Sequence, residues 1–189
     1  MFTEDIQRTN DLTDENSIIE KSQLDPVYFK PLYEKYFKRI FLFVHRRIGD
    51  KSTTADVTSQ IFLKALMNLK KYEPRGLPFS AWLFRIAVNE CNNFFRKTKR
   101  ERLVSIDSPA VITLFEDLSA EHDANALYEK LPRLLHKLSS DELQIIELRY
   151  FERRPFREVG DILGITENYA KVRVYRVLDK MRTLFMKAQ

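Results

Sequence analysis

The side chains able to do chemistry in this chain do not read as a hydrolytic or metal site. One cysteine, Cys91, and three histidines, His45, His122 and His136, stand far apart, with no spacing that would assemble a metal or a nucleophile and its base. No Walker-type glycine loop accompanies them. What recurs is arginine, lysine and asparagine interleaved with aromatic rings, the residue types that hold phosphates, read base edges and stack on bases. No cofactor is expected, and the chain reads as a binding protein, not an enzyme.

Two segments concentrate this chemistry. The first runs from Phe156 to Phe185 and reads as helix, short turn, helix, with Gly164 in the turn and Thr166 capping the second helix. At about 100° per residue, Val174, Val177 and Met181 fall within roughly 40° of Ala170 and form the inner stripe. Asn168, Lys171, Val172, Tyr175 and Arg176 face away from it, Tyr169 flanks them, and Arg173 lies nearer the boundary. Asparagine and arginine make bidentate contacts to adenine and guanine edges, and Lys171 suits a phosphate or a base. Arg153, Arg154 and Arg157, at the entry to the pair, are candidates for phosphates.

The second segment is Pro78 to Arg100. Projected as a helix, Leu83, Phe84, Ala87, Val88, Cys91, Phe94 and Phe95 make a broad core face. Trp82 shares the other side with Asn89, Asn93, Arg96 and Arg100, with Arg85 beside them. An indole among amides and guanidinium groups suits unstacked nucleic acid, the alternative being that Trp82 packs under the preceding loop.

These faces need helices to carry them. Phe29, Leu32, Tyr33, Tyr36, Phe37, Ile40, Phe41, Val44 and Ile48 recur at three- and four-residue steps after an Asp25-Pro26 start and before Gly49. A second helix is predicted from Ser52 to Thr54 through Leu69, and a breaker-rich loop from Lys71 to Pro78 leads into the third. Downstream, Leu127, Leu131, Leu134, Leu135 and Leu138 mark a helix that Pro132 bends or starts, and Ser139 to Glu142 is a capping box. With only four glycines and 44% hydrophobic residues, the expectation is an all-α fold of two small helical domains, the C-terminal one a helix-turn-helix.

Charge divides the chain the same way. Residues 1–26 carry a net −5, 27–101 carry +10, 102–127 carry −4 and 128–189 carry +4, within an overall +5. The first block, polar and without a period, is expected to be a flexible acidic tail; 102–126 reads as an acidic linker between domains at 27–101 and 127–189. No apolar run approaches about 18 residues and the N-terminus is acidic, so neither a membrane span nor a signal peptide is expected, and the lone cysteine fits a reducing cytoplasm.

Taken together, DVTSQIFLKAL (56–66), PFSAWLFRIAVNE (78–90) and LRYFERRPFREVGDILGITENYAKVRVYRVLDKM (148–181) resemble the bacterial sigma factors of the extracytoplasmic-function (ECF) group, over roughly residues 27–186. The resemblance implies that the first domain binds the clamp helices of the RNA polymerase largest subunit through Asp56, Ser59, Gln60, Phe62 and Leu63. It implies that the loop from Lys71 and Tyr72 to Phe79 holds a flipped base of the −10 element, with Asn89 and Asn93 contacting the same region. It implies −35 reading by Asn168, Lys171, Arg173 and Arg176, a seat on the polymerase flap, and an anti-sigma factor, often membrane-tethered, as partner. Two departures stand out: Ser59-Gln60 replaces the frequent Gln-Glu, and Asn168-Tyr169-Ala170 replaces the frequent Gly-Thr-Val. The acids Asp107, Glu116, Asp117, Glu121 and Asp123 would let the linker occupy a cationic channel meant for phosphates, or would simply be solvated. The competing reading is a helix-turn-helix regulator that does not join the polymerase.

Overall fold

A computed structural model describes residues 14–99, 114, 117, 118 and 124–187, and the chain divides into two units, 1–100 and 101–189. In the first unit α1 spans 14–24. Asp25 then caps a 3-10 turn, Pro26–Phe29, by accepting a bond from the Val27 N–H, and α2, Lys30–Ile48, follows directly. Gly49, at φ 79°, ends α2 with its N–H on the His45 carbonyl, a left-handed position that glycine occupies without penalty. The Asp50 side chain accepts the Thr53 N–H and opens α3, Lys51–Asn68, which tightens into a 3-10 turn, Leu69–Lys71. After the loop, α4 spans Phe79–Thr98.

The apolar stripes of α2, α3 and α4 meet in one core: Leu32, Ile40, Phe43 and Val44 face Ile61 and Ala65, with Leu83, Phe84, Ala87 and Cys91 closing it. Each large side chain so buried contributes about 1.5–3 kcal/mol against exposure. Cys91 lies in that core, as its place on the helix face predicts.

The acidic tail departs from expectation. From residue 14 it is helical, and it docks at both ends. Glu15 is buried and accepts from the Tyr36 hydroxyl at 2.6 Å, with Lys35 Nζ at 2.7 Å. Ile19 is buried mid-helix, and Gln23 bonds to backbone near residue 70. With one buried hydrophobe, this helix has no period to detect; long-range polar partners hold it.

In the second unit α5 spans Ala124–His136 and runs through Pro132. The Ser139 capping box forms as predicted and opens α6, Ser140–Ile146. The helix expected to continue to Tyr150 instead widens into a π turn, Glu147–Phe151, which brings the chain round to α7, Phe156–Leu163. Gly164, at φ 69°, makes the turn, and Thr166 caps α8, Glu167–Met186. The linker also departs from expectation where it is described. Leu114 and Leu118 are buried, and Asp117 accepts from the Tyr150 hydroxyl and, through its carbonyl, from Arg182, both at 2.6 Å. Burial first, and then the Asp117 carboxylate, push the Tyr150 hydroxyl well above its usual range and keep it a donor.

Glu142 joins the capping box to α8. Its Oε2 accepts the Ser139 N–H at 2.7 Å and pairs with Lys180 Nζ at 2.6 Å. Partial burial opposes ionisation, but the Lys180 and Ser139 bonds outweigh it, and the carboxyl sits below its ordinary 4.5. A carboxyl depressed by folding stabilises the native state above its unfolded value and loses that contribution as pH falls through the folded one. Unfolding of the full chain followed against pH should therefore show stability falling below about pH 4.5, and Glu142→Gln should flatten that acid limb. An unchanged limb in the variant would remove Glu142 from it.

Candidate nucleic-acid interface

On α8 the inner stripe is as predicted: Ala170, Val174, Val177 and Met181 are all buried, joined by Leu178 and Phe185. That fixes the rotation of the helix, and Asn168, Lys171, Val172, Tyr175 and Arg176 are all exposed on the other side. Two apolar members of that face, Val172 and Tyr175, are 43% and 49% exposed, a cost in water that a groove surface would offset. Tyr175 is braced by Phe156, 6.4 Å between ring centres. Arg173 is half-buried, its guanidinium 5.9 Å from the Tyr169 ring.

The three arginines at the entry separate. Arg153 and Arg157 are exposed. Arg154 is a correction: it is 4% exposed, its Nη1 is 2.6 Å from Glu158, and its carbonyl receives Arg149. A guanidinium committed to a buried ion pair is structural; Glu158 stands four residues on, but Arg154 precedes the Pro155 N-cap of α7, so the pairing depends on how the chain enters that helix.

On α4 Trp82 is half-buried and caps a ring cluster beneath the loop. Its centroid lies 5.0 Å from Tyr72 and 5.3 Å from Phe79, and Tyr36 reaches Phe79 at 5.8 Å. Tyr72 and Phe79, predicted to touch a base, are buried at 8% and 2% and form the floor of the loop; both are corrections. Phe79, interlocked with three rings, and Tyr72, interlocked with two, support the loop and are not free to stack on a base. Lys71 is exposed at the loop's entry.

Asn89 and Arg96 are exposed on the same side of α4, and Arg85 is half-buried. Asn93 differs from expectation in its partners. Its Nδ2 donates to Glu90 Oε1 at 3.3 Å, and its Oδ1 accepts from Arg96 Nη2 at 2.9 Å. The same Glu90 oxygen takes Lys64 Nζ of α3 at 2.7 Å. Asn93 thus orients Arg96 from a network anchored on the neighbouring helix. Lys64 and Glu90 escaped the sequence reading because they belong to different helices. Arg100 lies outside the described residues.

On α3, Asp56, Ser59, Gln60 and Leu63 share one exposed face, extended by Met67, which is 72% exposed and was not among the predicted residues. Phe62 is a correction: at 4% exposure it packs on Tyr33 and Phe37 as core.

One unit thus carries a helix-turn-helix with an open polar face, and the other a basic helix beside a loop built on aromatic rings, which makes a helical protein with two candidate nucleic-acid surfaces. The model of sigma-70 region 2 matches residues 32–101 and that of sigma-70 region 4 matches 134–183. The ECF RNA polymerase sigma factor BldN of Streptomyces coelicolor is 26% identical over 172 residues, covering 88% of this chain and 64% of BldN. SigW of Bacillus subtilis is 24% identical over 82% of this chain and 87% of its own, and CarQ of Myxococcus xanthus 27% over 82% and 88%. CnrH, solved in complex with the cytosolic domain of CnrY, shares the fold at TM-score 0.61 and 18% identity, over 91% of this chain and 97% of CnrH. The chain belongs to the ECF group of RNA polymerase sigma factors. Among the described residues, no helix is long and apolar enough to cross a membrane.

Proposed function

We propose that this sigma factor reads the −35 element with the exposed face of α8 and captures the opened −10 element with α4 and the loop 71–78. The observation that carries the reading is the two-sided division of α8, six buried apolar residues against five exposed ones, Asn168, Lys171, Val172, Tyr175 and Arg176, suited to a groove. Arg153 and Arg157 take phosphates of the same duplex, and Arg173 supports the reading face from its edge. On α4, Asn89, Arg96 and Arg85 line the path of the strand, and Trp82, resting on Tyr72 and Phe79, offers the stacking surface.

The exposed α3 face, Asp56, Ser59, Gln60, Leu63 and Met67, meets the clamp helices of the polymerase largest subunit, and the C-terminal unit sits on the flap. The protein acts in the cytoplasm, has no catalysis of its own, and is held inactive by an anti-sigma partner; the complex of CnrH with the cytosolic domain of CnrY supports that last reading by analogy. Opening DNA costs a few kcal/mol for each base taken from the stack, so melting depends on the polymerase contacts as well as on captured bases.

Run-off transcription with core polymerase on a promoter library tests these assignments. Arg176→Ala should relax preference at one −35 position and weaken binding by about 1–3 kcal/mol. Asn89→Ala should alter preference only in the −10 region. Both side chains are exposed, so thermal stability should move by less than about 0.5 kcal/mol. Unchanged promoter choice in both variants would overturn the assignments.

A further inference from the structure

The loop that enters α4 is tied to α1 by one side chain. Gln23 Nε2 donates to the carbonyls of Leu69 at 3.0 Å and Tyr72 at 2.8 Å, across 46 and 49 residues of sequence. Those carbonyls lie where the 3-10 turn Leu69–Lys71 gives way to extended backbone at Tyr72. A helix end leaves carbonyls short of partners; the Leu69 carbonyl has the Tyr72 N–H, and one primary amide, with two N–H groups, adds a second donor there and reaches the Tyr72 carbonyl as well. At its other end α1 holds the Tyr36 hydroxyl through Glu15. Tyr36 and Tyr72 are both members of the ring cluster under the loop, so α1 grips that cluster by a ring on one side and by backbone on the other.

We propose that Gln23 is a positioning residue for −10 capture: it sets the direction in which the chain leaves Tyr72 and so the shape of the loop that receives the unpaired base. The proposal rests on the base-capturing role of that loop. It gives the acidic N-terminal segment a task that its charge does not suggest. Without the amide, the Tyr72 carbonyl is left to water, the Leu69 carbonyl keeps only the Tyr72 N–H, and the loop samples other exits.

The test measures binding of holoenzyme to a fork-junction DNA with an unpaired −10 non-template strand, intact or carrying an abasic site at each unpaired position in turn. Wild type should lose affinity at one abasic position, which identifies the captured base. Gln23→Ala, and Gln23→Met, which keeps the length but not the donors, should weaken the intact fork on the order of tenfold and change the sensitive abasic fork by less than about twofold. Equal losses on both forks, or none on the intact one, would overturn the role of Gln23, equal losses meaning that it merely stabilises the unit. A wild type indifferent to every abasic position would overturn the loop reading itself, and this proposal with it.

Discussion

Gly160→Ala is expected to cost the C-terminal unit about 3 kcal/mol and most of its −35 binding, more than any substitution on the recognition face. A Cβ at this position would lie 2.8 Å from the Ile165 carbonyl oxygen, 3.2 Å from the Glu167 nitrogen and 3.2 Å from the Thr166 carbonyl carbon. All three atoms are backbone of the turn into α8, and no rotamer change can move them aside. The Gly160 carbonyl also receives the Ile165 N–H at 2.9 Å, so the clash falls where the turn closes on α7. Overpacking a tight site costs about 1–3 kcal/mol and occasionally more, and a backbone obstacle belongs at the upper end. The angle between α7 and α8 would open, moving the exposed face of α8 relative to Arg153 and Arg157, the proposed phosphate contacts. Gly164→Ala provides the comparison. It has open space for the methyl group and pays only for a left-handed backbone, about 1–2 kcal/mol. Urea unfolding of both variants, with binding to a −35 duplex, checks the order; Gly164→Ala proving the worse would show that the close approach relaxes without strain.

Phe79→Ala should destabilise the first unit by about 3–5 kcal/mol, a large share of the 5–15 kcal/mol typical of a domain. Phe79 is 2% exposed and lies within 5.3–5.8 Å of Tyr72, Trp82 and Tyr36. Removing it leaves a cavity under the loop that its neighbours fill only in part. Phe79→Leu keeps most of the volume and should cost about 1–1.5 kcal/mol. Were the ring a contact to the flipped base, Phe79→Ala would leave the thermal midpoint near wild type and remove only −10 binding. Thermal unfolding of the full chain separates these outcomes, and a midpoint unchanged within about a degree would return Phe79 to the DNA surface.

The same contrast explains how much of the site was legible beforehand. Period and spacing place a residue on a helix and choose its side, which is why the inner stripe of α8, the core position of Cys91, the Ser139 capping box and the Gly164 turn all stand as predicted. They do not tell what lies opposite. Phe62, Tyr72, Phe79 and Arg154 carry side chains suited to a partner, yet each is taken by a neighbour from another turn or helix. Gly160, unlike Gly164, breaks no local pattern, because its requirement comes from backbone five to seven residues on.

The sequence by itself determined that the chain is helical, that it has two basic stretches, 27–101 and 128–189, and which helix faces could meet nucleic acid. Those properties follow from local sterics, from the 3.6-residue repeat and from counted charge, all of which act along the chain. Only the tertiary structure decided that the N-terminal acidic segment is in part a docked helix, that Asp117 is held by Tyr150, and that Asn93 serves Arg96 through a Glu90 shared with Lys64. Each depends on a polar contact between residues distant in sequence, Glu15 with Tyr36, Asp117 with Tyr150 and Lys64 with Glu90. A hydrogen bond needs its partner within about 3 Å, and that proximity is created by packing, which no periodicity encodes.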